Sequence, residues 1–73
     1  MTERAVLEDV LDDGETLLLA DGRRLSLRRA DSIIASIWLP PARLMLRRRK
    51  GASDIGVTND ETGETVSARA AAK

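Results

Sequence analysis

Hydrophobic and polar residues alternate along several short stretches of the chain, which is the pattern of half-buried antiparallel strands. The alternation is clearest from Arg23 to Arg28, where Leu25 and Leu27 share one face. Similar two-residue periods recur in three later segments, 43–49, 54–58 and 64–70. An apolar run at residues 17–20 supplies one more candidate strand.

Turn-forming residues separate these stretches. Asp21-Gly22, between two apolar runs, predicts a two-residue hairpin loop, because both residue types tolerate the backbone of such loops. Asp and Gly residues predict further turns at 12–14, 50–53 and 59–63. Short strands with frequent turns favour a barrel, which leaves no exposed sheet edge.

Two segments allow more than one interpretation. Residues 2–11 fit an amphipathic helix through Val6, Leu7, Val10 and Leu11, or a strand with an interrupted two-residue period. We favour the strand because a turn and a hairpin follow it. Residues 31–38 fit an extended segment or a helical turn capped by Asp31.

For the second segment, 31–38, we favour one helical turn or a short bridging segment that ends before Pro40. Its predicted apolar stripe consists of Ile33, Ile34, Ile37 and Trp38. We therefore predict an all-β fold: a small antiparallel barrel of five or six short strands, with one short helical turn near residues 31–38.

The length of the chain, 73 residues, predicts one domain over residues 1–70 and a frayed tail over 71–73. The chain contains no Phe, Tyr or Cys and a single Trp, so the core must be small and aliphatic. A protein partner or a second copy could supply additional burial. No segment resembles a membrane span or a signal sequence. We expect a complete, cytoplasmic protein that does not bind membranes.

The charged residues balance to zero overall but are unevenly distributed. Residues 1–22 carry seven acids and one Arg, whereas residues 23–50 carry nine bases and one Asp. This asymmetry predicts an interaction surface, or acidic strands that neutralise basic neighbours. The second interpretation predicts ion pairs between the arginines and four acids, Glu8, Asp9, Glu15 and Glu64.

The residue types needed for most enzyme chemistry are missing. The chain has no His, which removes the commonest general base and metal ligand, and no Cys nucleophile. The acidic turns do not match the spacing of a calcium loop, and no phosphate-binding glycine motif is present. We therefore predict no enzyme, no catalytic or metal-binding residue, no cofactor and no small-molecule substrate.

The basic residues are the best candidates for function. On the segment 43–49, Leu44 and Leu46 share the predicted core face, and Met45 lies with arginines on the other face. The candidate partner-binding residues are Arg24, Arg28, Arg43, Met45, Arg47, Arg48, Arg49 and Lys50. A non-catalytic module that docks on a protein partner or forms a homo-oligomer is the first hypothesis.

The alternative hypothesis is nucleic-acid binding through an arginine-rich face. Single-strand binders usually add aromatic side chains on which bases stack. Trp38 is the one aromatic residue available, and its apolar neighbours favour a place in the core.

Four short motifs follow one another along the chain: 10–14 and 19–23 around the two Asp-Gly pairs, Ile37-Trp38-Leu39-Pro40, and 57–66. In this order they resemble a loose group of small uncharacterised bacterial β-barrel proteins. Pro41-Ala42-Arg43 stands where Gly-Asp follows the Trp-Pro motif in that group, so we expect a different turn before the strand that begins at Arg43. The resemblance implies a barrel of Src-homology or Sm-like type, and it implies no activity or functional residue.

Overall fold

The computed structural model describes residues 2–48, 51 and 53–71. Six strands, one α-helix and a 3-10 turn follow in the order β1 (Thr2–Leu11), 3-10 turn (Asp12–Gly14), β2 (Thr16–Leu19), β3 (Arg24–Leu27), α1 (Arg29–Ala35), β4 (Ala42–Arg48), β5 (Ile55–Asn59) and β6 (Thr65–Ala70). Arg49, Lys50 and most of the predicted tail, residues 72–73, lie outside the described residues. The amide of Ala71 donates to the carbonyl of Arg24 (2.9 Å).

The strands form a closed barrel in the order β1-β2-β3-β6-β5-β4, and every neighbouring pair is antiparallel. This confirms the predicted small antiparallel β-barrel with one short helix. In a closed ring of six strands, β3 and β4 lie on opposite sides. The chain between them must therefore cross one end of the barrel, and α1 lies in this connection.

The core is aliphatic apart from Trp38. Alternate strand residues point inward, so Leu25 and Leu27 of β3 and Leu44 and Leu46 of β4 are all buried, as their two-residue periods predict. Trp38 is 3% exposed and belongs to the same cluster. The prediction that Trp38 is a core residue is confirmed.

β1 is a strand, and a bulge explains why its sequence also fits a helix. Leu7 pairs with Leu19, but Asp9, rather than Glu8, pairs with the next residue of β2. The extra residue shifts the two-residue period, so that Leu7 is buried and Val10 packs against the core three positions later. The apparent helical spacing of Val6, Leu7 and Val10 is therefore the consequence of a bulge.

The predicted start and buried face of the helix were wrong. α1 begins at Arg29, with Arg28 rather than Asp31 at the N-cap position. Asp31 lies in the first turn, where its carboxylate accepts a hydrogen bond from the amide of Ser67 (3.3 Å). That amide lies beyond Leu27, the last residue of β3 that pairs with β6, so Asp31 supplies the acceptor that the neighbouring strand no longer offers.

Within the described residues, no helix combines the length and the apolar character needed to cross a bilayer.

Candidate functional site

Trp38 closes the helix end of the barrel, and its indole makes a side-chain hydrogen bond there. The indole Nε1 of Trp38 donates to Oε1 of Glu64 (2.8 Å), and the backbone amide of Trp38 donates to the carbonyl of Ala35 (3.0 Å). A buried indole N–H needs an acceptor, and Glu64 provides it from the β5–β6 hairpin. The Trp-Pro motif and the final hairpin motif therefore meet in space.

The hairpin that carries Glu64 is organised by Asn59, which is almost fully buried. Its side-chain oxygen accepts the amides of Glu61 (2.8 Å) and Thr62 (3.4 Å), and its carbonyl accepts the amide of Gly63 (2.7 Å). These bonds satisfy the backbone of the turn without water. The residues of this motif accordingly have a structural role.

The 3-10 turn approaches α1 so closely that only glycine fits at the contact. A Cβ atom on Gly14 would lie 2.2 Å from the carbonyl oxygen of Ser32 and 2.9 Å from the amide of Ser36. The φ angle of Gly14, +95°, is also unfavourable for a residue with a side chain. The side of α1 nearest the turn therefore carries small residues.

This close packing reverses the predicted orientation of the helix. Ser32, Ala35 and Trp38, at three-residue spacing, are buried. Ile33 and Ile37 were expected inside but are 70% and 71% exposed, and Leu39 is 81% exposed. Ile34 is only partly buried against the core. Two of the four residues of the expected apolar stripe, Ile33 and Ile37, are thus in solvent, whereas Trp38 is in the core.

Ile33, Ile37 and Leu39 form one exposed apolar surface, which we call the α1 patch. Ile33 and Ile37 are one helical turn apart, and Ser36 keeps helical backbone angles between them (φ −62°, ψ −23°). Leu39 follows on the other side of the buried Trp38. Exposed aliphatic residues that occur singly are common, whereas these three lie within seven positions of the chain.

The predicted basic residues lie on different walls of the barrel. Arg43, Met45 and Arg47 alternate outward on β4, as predicted, and pair with Val6, Arg4 and Thr2 of β1. We call the surface of Arg4, Val6, Arg43, Met45 and Arg47 the β1–β4 face. In the described part of the chain, no ion pair joins Arg4, Arg43 or Arg47 to an acid.

Arg24 and Arg28 lie on the opposite wall, at the start of β3 and just after its end. Arg28 pairs with Asp54 (3.6 Å), which also pairs with Arg69 (3.1 Å). Arg24 and Arg48 line one shallow groove at the barrel end remote from α1. The candidate residues therefore do not form a single basic face.

At the same remote end, Arg23 bridges two acids. Its guanidinium contacts Glu3 (2.6 Å) and Asp21 (2.8 Å). The side-chain hydrogen bond from Arg23 lowers the pKa of Glu3, and the backbone hydrogen bond from the Arg23 amide lowers the pKa of Asp21. Cross-strand neutralisation thus applies to Arg23, but through acids other than the four that the sequence suggested.

The described residues contain no cluster of acids, His or Cys that could hold a metal ion. Their buried polar side-chain atoms all have hydrogen-bond partners. The described surface presents exposed aliphatic side chains at the α1 patch and positive charge at the β1–β4 face.

Comparison with protein-family models, curated proteins and solved structures finds no match for the chain. A function is therefore proposed from the geometry of the described residues alone. Sequence reasoning missed the α1 patch, although the small residues Ser32, Ala35 and Ser36 mark the side of the helix that makes close contact. Small residues at three- and four-residue spacing, facing a positive-φ glycine turn, are the pattern that would have identified it.

Proposed function

We propose that the protein is a non-catalytic binding module that docks on a protein surface through the α1 patch. The observation that carries this proposal is the exposure of Ile33, Ile37 and Leu39 while smaller residues are buried beneath them. Burying one such side chain fully contributes about 1.5–3 kcal/mol, so three adjacent ones suffice for a modest docking energy. Ile33 lies on α1, and the buried Trp38 anchors its neighbours Ile37 and Leu39 to the barrel, which lowers the cost of ordering them on docking.

The test is a pull-down in which the purified wild type and variants with introduced carboxylates are immobilised and compared. Ile33→Glu combined with Ile37→Glu places two carboxylates in the α1 patch, and the control Val6→Glu places one carboxylate on the outer wall of β1, where Val6 is 44% exposed. We expect a partner retained by the wild type and by Val6→Glu at moderate and high salt, and lost by the double variant. Equal retention by all three proteins would refute the proposal.

A second candidate function, nucleic-acid binding, is favoured by the β1–β4 face. Arg43 and Arg47 are four residues apart on one strand, which separates them by about 13 Å, and Arg4 lies between them on the next strand. Positive side chains along a flat sheet surface suit the phosphate backbone of a single strand. Against this candidate, the one aromatic side chain is buried and cannot stack on bases.

Anisotropy of labelled single-stranded RNA and DNA at low salt tests this candidate. Arg43→Glu with Arg47→Glu should abolish binding, whereas Arg24→Glu on the opposite wall should leave it nearly unchanged. Binding should weaken steeply between about 50 and 200 mM salt. A wild-type protein that binds neither strand at low salt eliminates the candidate.

We also propose that the chain belongs to the group of small bacterial barrels that it resembles, of Src-homology or Sm-like type, and that it acts in the cytoplasm. The contact between Trp38 and Glu64 supports the grouping, because it gives two of the shared motifs one joint structural role. Members of the group should then retain or lose this pair together. Fractionation of the source cells tests the compartment, and recovery of the protein outside the cytoplasm would refute it.

A further inference from the structure

The α1 patch has opposite charge at its two ends. Arg29, Ile33 and Ile37 follow at four-residue spacing and share the exposed side of the helix, with Arg29 at the first turn. The 3-10 turn packs beside the other end, because Gly14 contacts Ser36. The 3-10 turn carries two exposed acids, Asp12 and Asp13, and we call this pair of residues the acidic turn.

Neither charge is neutralised by the other within one molecule. Among the described ion pairs none involves Arg29, Asp12 or Asp13. Among the described side-chain hydrogen bonds, the acidic turn takes part in one, in which the hydroxyl of Thr16 donates to Oδ2 of Asp12 (3.2 Å). A surface with a cation at one end, aliphatic residues in the middle and acids at the other end is complementary to itself when turned around.

We propose that the partner of the α1 patch is a second copy of this chain, docked with the two helices antiparallel about a two-fold axis. This inference rests on the proposed function, because it uses the same surface. An antiparallel arrangement places Ile33 of one copy near Ile37 of the other and brings each Arg29 towards the acidic turn opposite. A two-fold interface uses the same patch on both molecules, so it closes as a dimer and does not extend into a filament.

The size of the patch sets the expected strength. α1 has seven residues and is about 10 Å long, so the contact falls at the small end of specific interfaces. The aliphatic centre supplies most of the attraction, and the charged ends set the orientation. We expect a dimer with a dissociation constant of about 10–500 µM, observable at concentrations that leave other surfaces monomeric.

Sedimentation equilibrium of the full chain tests the inference over about 10 µM to 1 mM. The wild type should pass from monomer to dimer mass, and Val6→Glu should behave in the same way. Ile37→Glu should remain monomeric throughout. Retained tryptophan fluorescence and circular dichroism verify that each variant is folded, and Ile33→Ser provides a second, uncharged disruption of the patch.

Charge variants test the antiparallel orientation. Arg29→Gln, and Asp12→Asn together with Asp13→Asn, should each weaken the dimer about five-fold, and the triple variant should be little weaker than either. Asn is used because Asp12 and Asp13 have φ angles of +53° and +57°, which Asn tolerates. Independent, multiplying losses would overturn the proposed pairing of Arg29 with the acidic turn.

The dimer is refuted by a wild type that stays monomeric at about 1 mM, or by a dimer that Ile37→Glu leaves intact. A wild type that stays monomeric could still capture a different protein in the pull-down. If the double variant with Ile33→Glu and Ile37→Glu then loses that protein, the self-pairing is refuted and the proposed function is retained. Patch variants without effect in both experiments would refute both.

Discussion

An ordinary amphipathic helix buries its large apolar side chains and exposes its polar ones, whereas α1 shows the opposite arrangement. The buried side presents Ser32 and Ala35 to the barrel, whereas the exposed side presents Ile33 and Ile37 to solvent. The buried side lies close to the backbone of the 3-10 turn, since a Cβ atom on Gly14 would meet the carbonyl oxygen of Ser32 and the amide of Ser36. Hydrophobicity alone does not decide which side of a short helix is buried when the neighbouring backbone is this near.

The comparison also identifies the residues near α1 that stabilise the fold. Trp38 supplies the large apolar volume that the small residues of α1 lack, and Glu64 satisfies its one polar atom. The aliphatic residues outside are then left without a role in the core. The three substitutions that follow remove buried contacts at this end of the barrel. They are given in order of decreasing loss of unfolding free energy.

Trp38→Ala should cause the largest loss, about 3–5 kcal/mol of the free energy of unfolding. It removes the bulky residue that closes the barrel end and leaves the carboxylate of Glu64 without its donor. Urea unfolding followed by circular dichroism measures the loss, since the only fluorescent tryptophan is gone. A loss below about 1 kcal/mol would show that the barrel end does not depend on Trp38.

Gly14→Ala should cost about 2–4 kcal/mol, because the new Cβ meets the Ser32 carbonyl and the backbone has a positive φ. Gly22→Ala is the matched control, since Gly22 has the same φ of +95° but nothing within 4 Å of the added atom. The difference between the two unfolding free energies isolates the steric contact. Equal losses would mean that the turn does not limit the approach of α1.

Glu64→Ala should cost about 1–3 kcal/mol, because it leaves the buried Nε1 of Trp38 without an acceptor. Glu64→Gln keeps an oxygen at the same position and should lose less than half as much. Unfolding monitored by tryptophan fluorescence measures both variants. Identical stabilities of the two variants would indicate that the hydrogen bond is not what stabilises Trp38.

The strands were predictable because their information is local. Asp21-Gly22 fixes one hairpin, and the alternation around Leu25 and around Leu44 determines which residues point inward. A two-residue period needs no knowledge of the partner strand, so the barrel class and the outward direction of Met45 follow from the sequence. The burial of Trp38 was predicted from its apolar neighbours in the chain.

The features that remained hidden depend on residues far apart in the chain. The bulge near Glu8 shifts the period of β1 only because of its pairing with β2. The orientation of α1 depends on Gly14, which lies 18 positions before Ser32. The separation of Arg24 from Arg43 on opposite walls follows from strand order, which local patterns do not contain. The site was missed for these reasons, although every residue in it had been noted.

The reactivity of single cysteines in α1 and just after it tests most directly whether the large side chains face outward. The chain has no cysteine of its own, so Ile37→Cys and Ala35→Cys each introduce one thiol. At low protein concentration, the thiol of Ile37→Cys should react with Ellman's reagent about as fast as a free thiol, and that of Ala35→Cys only as fast as the protein unfolds. Protection of the thiol at position 37 together with free reaction at position 35 would contradict the account.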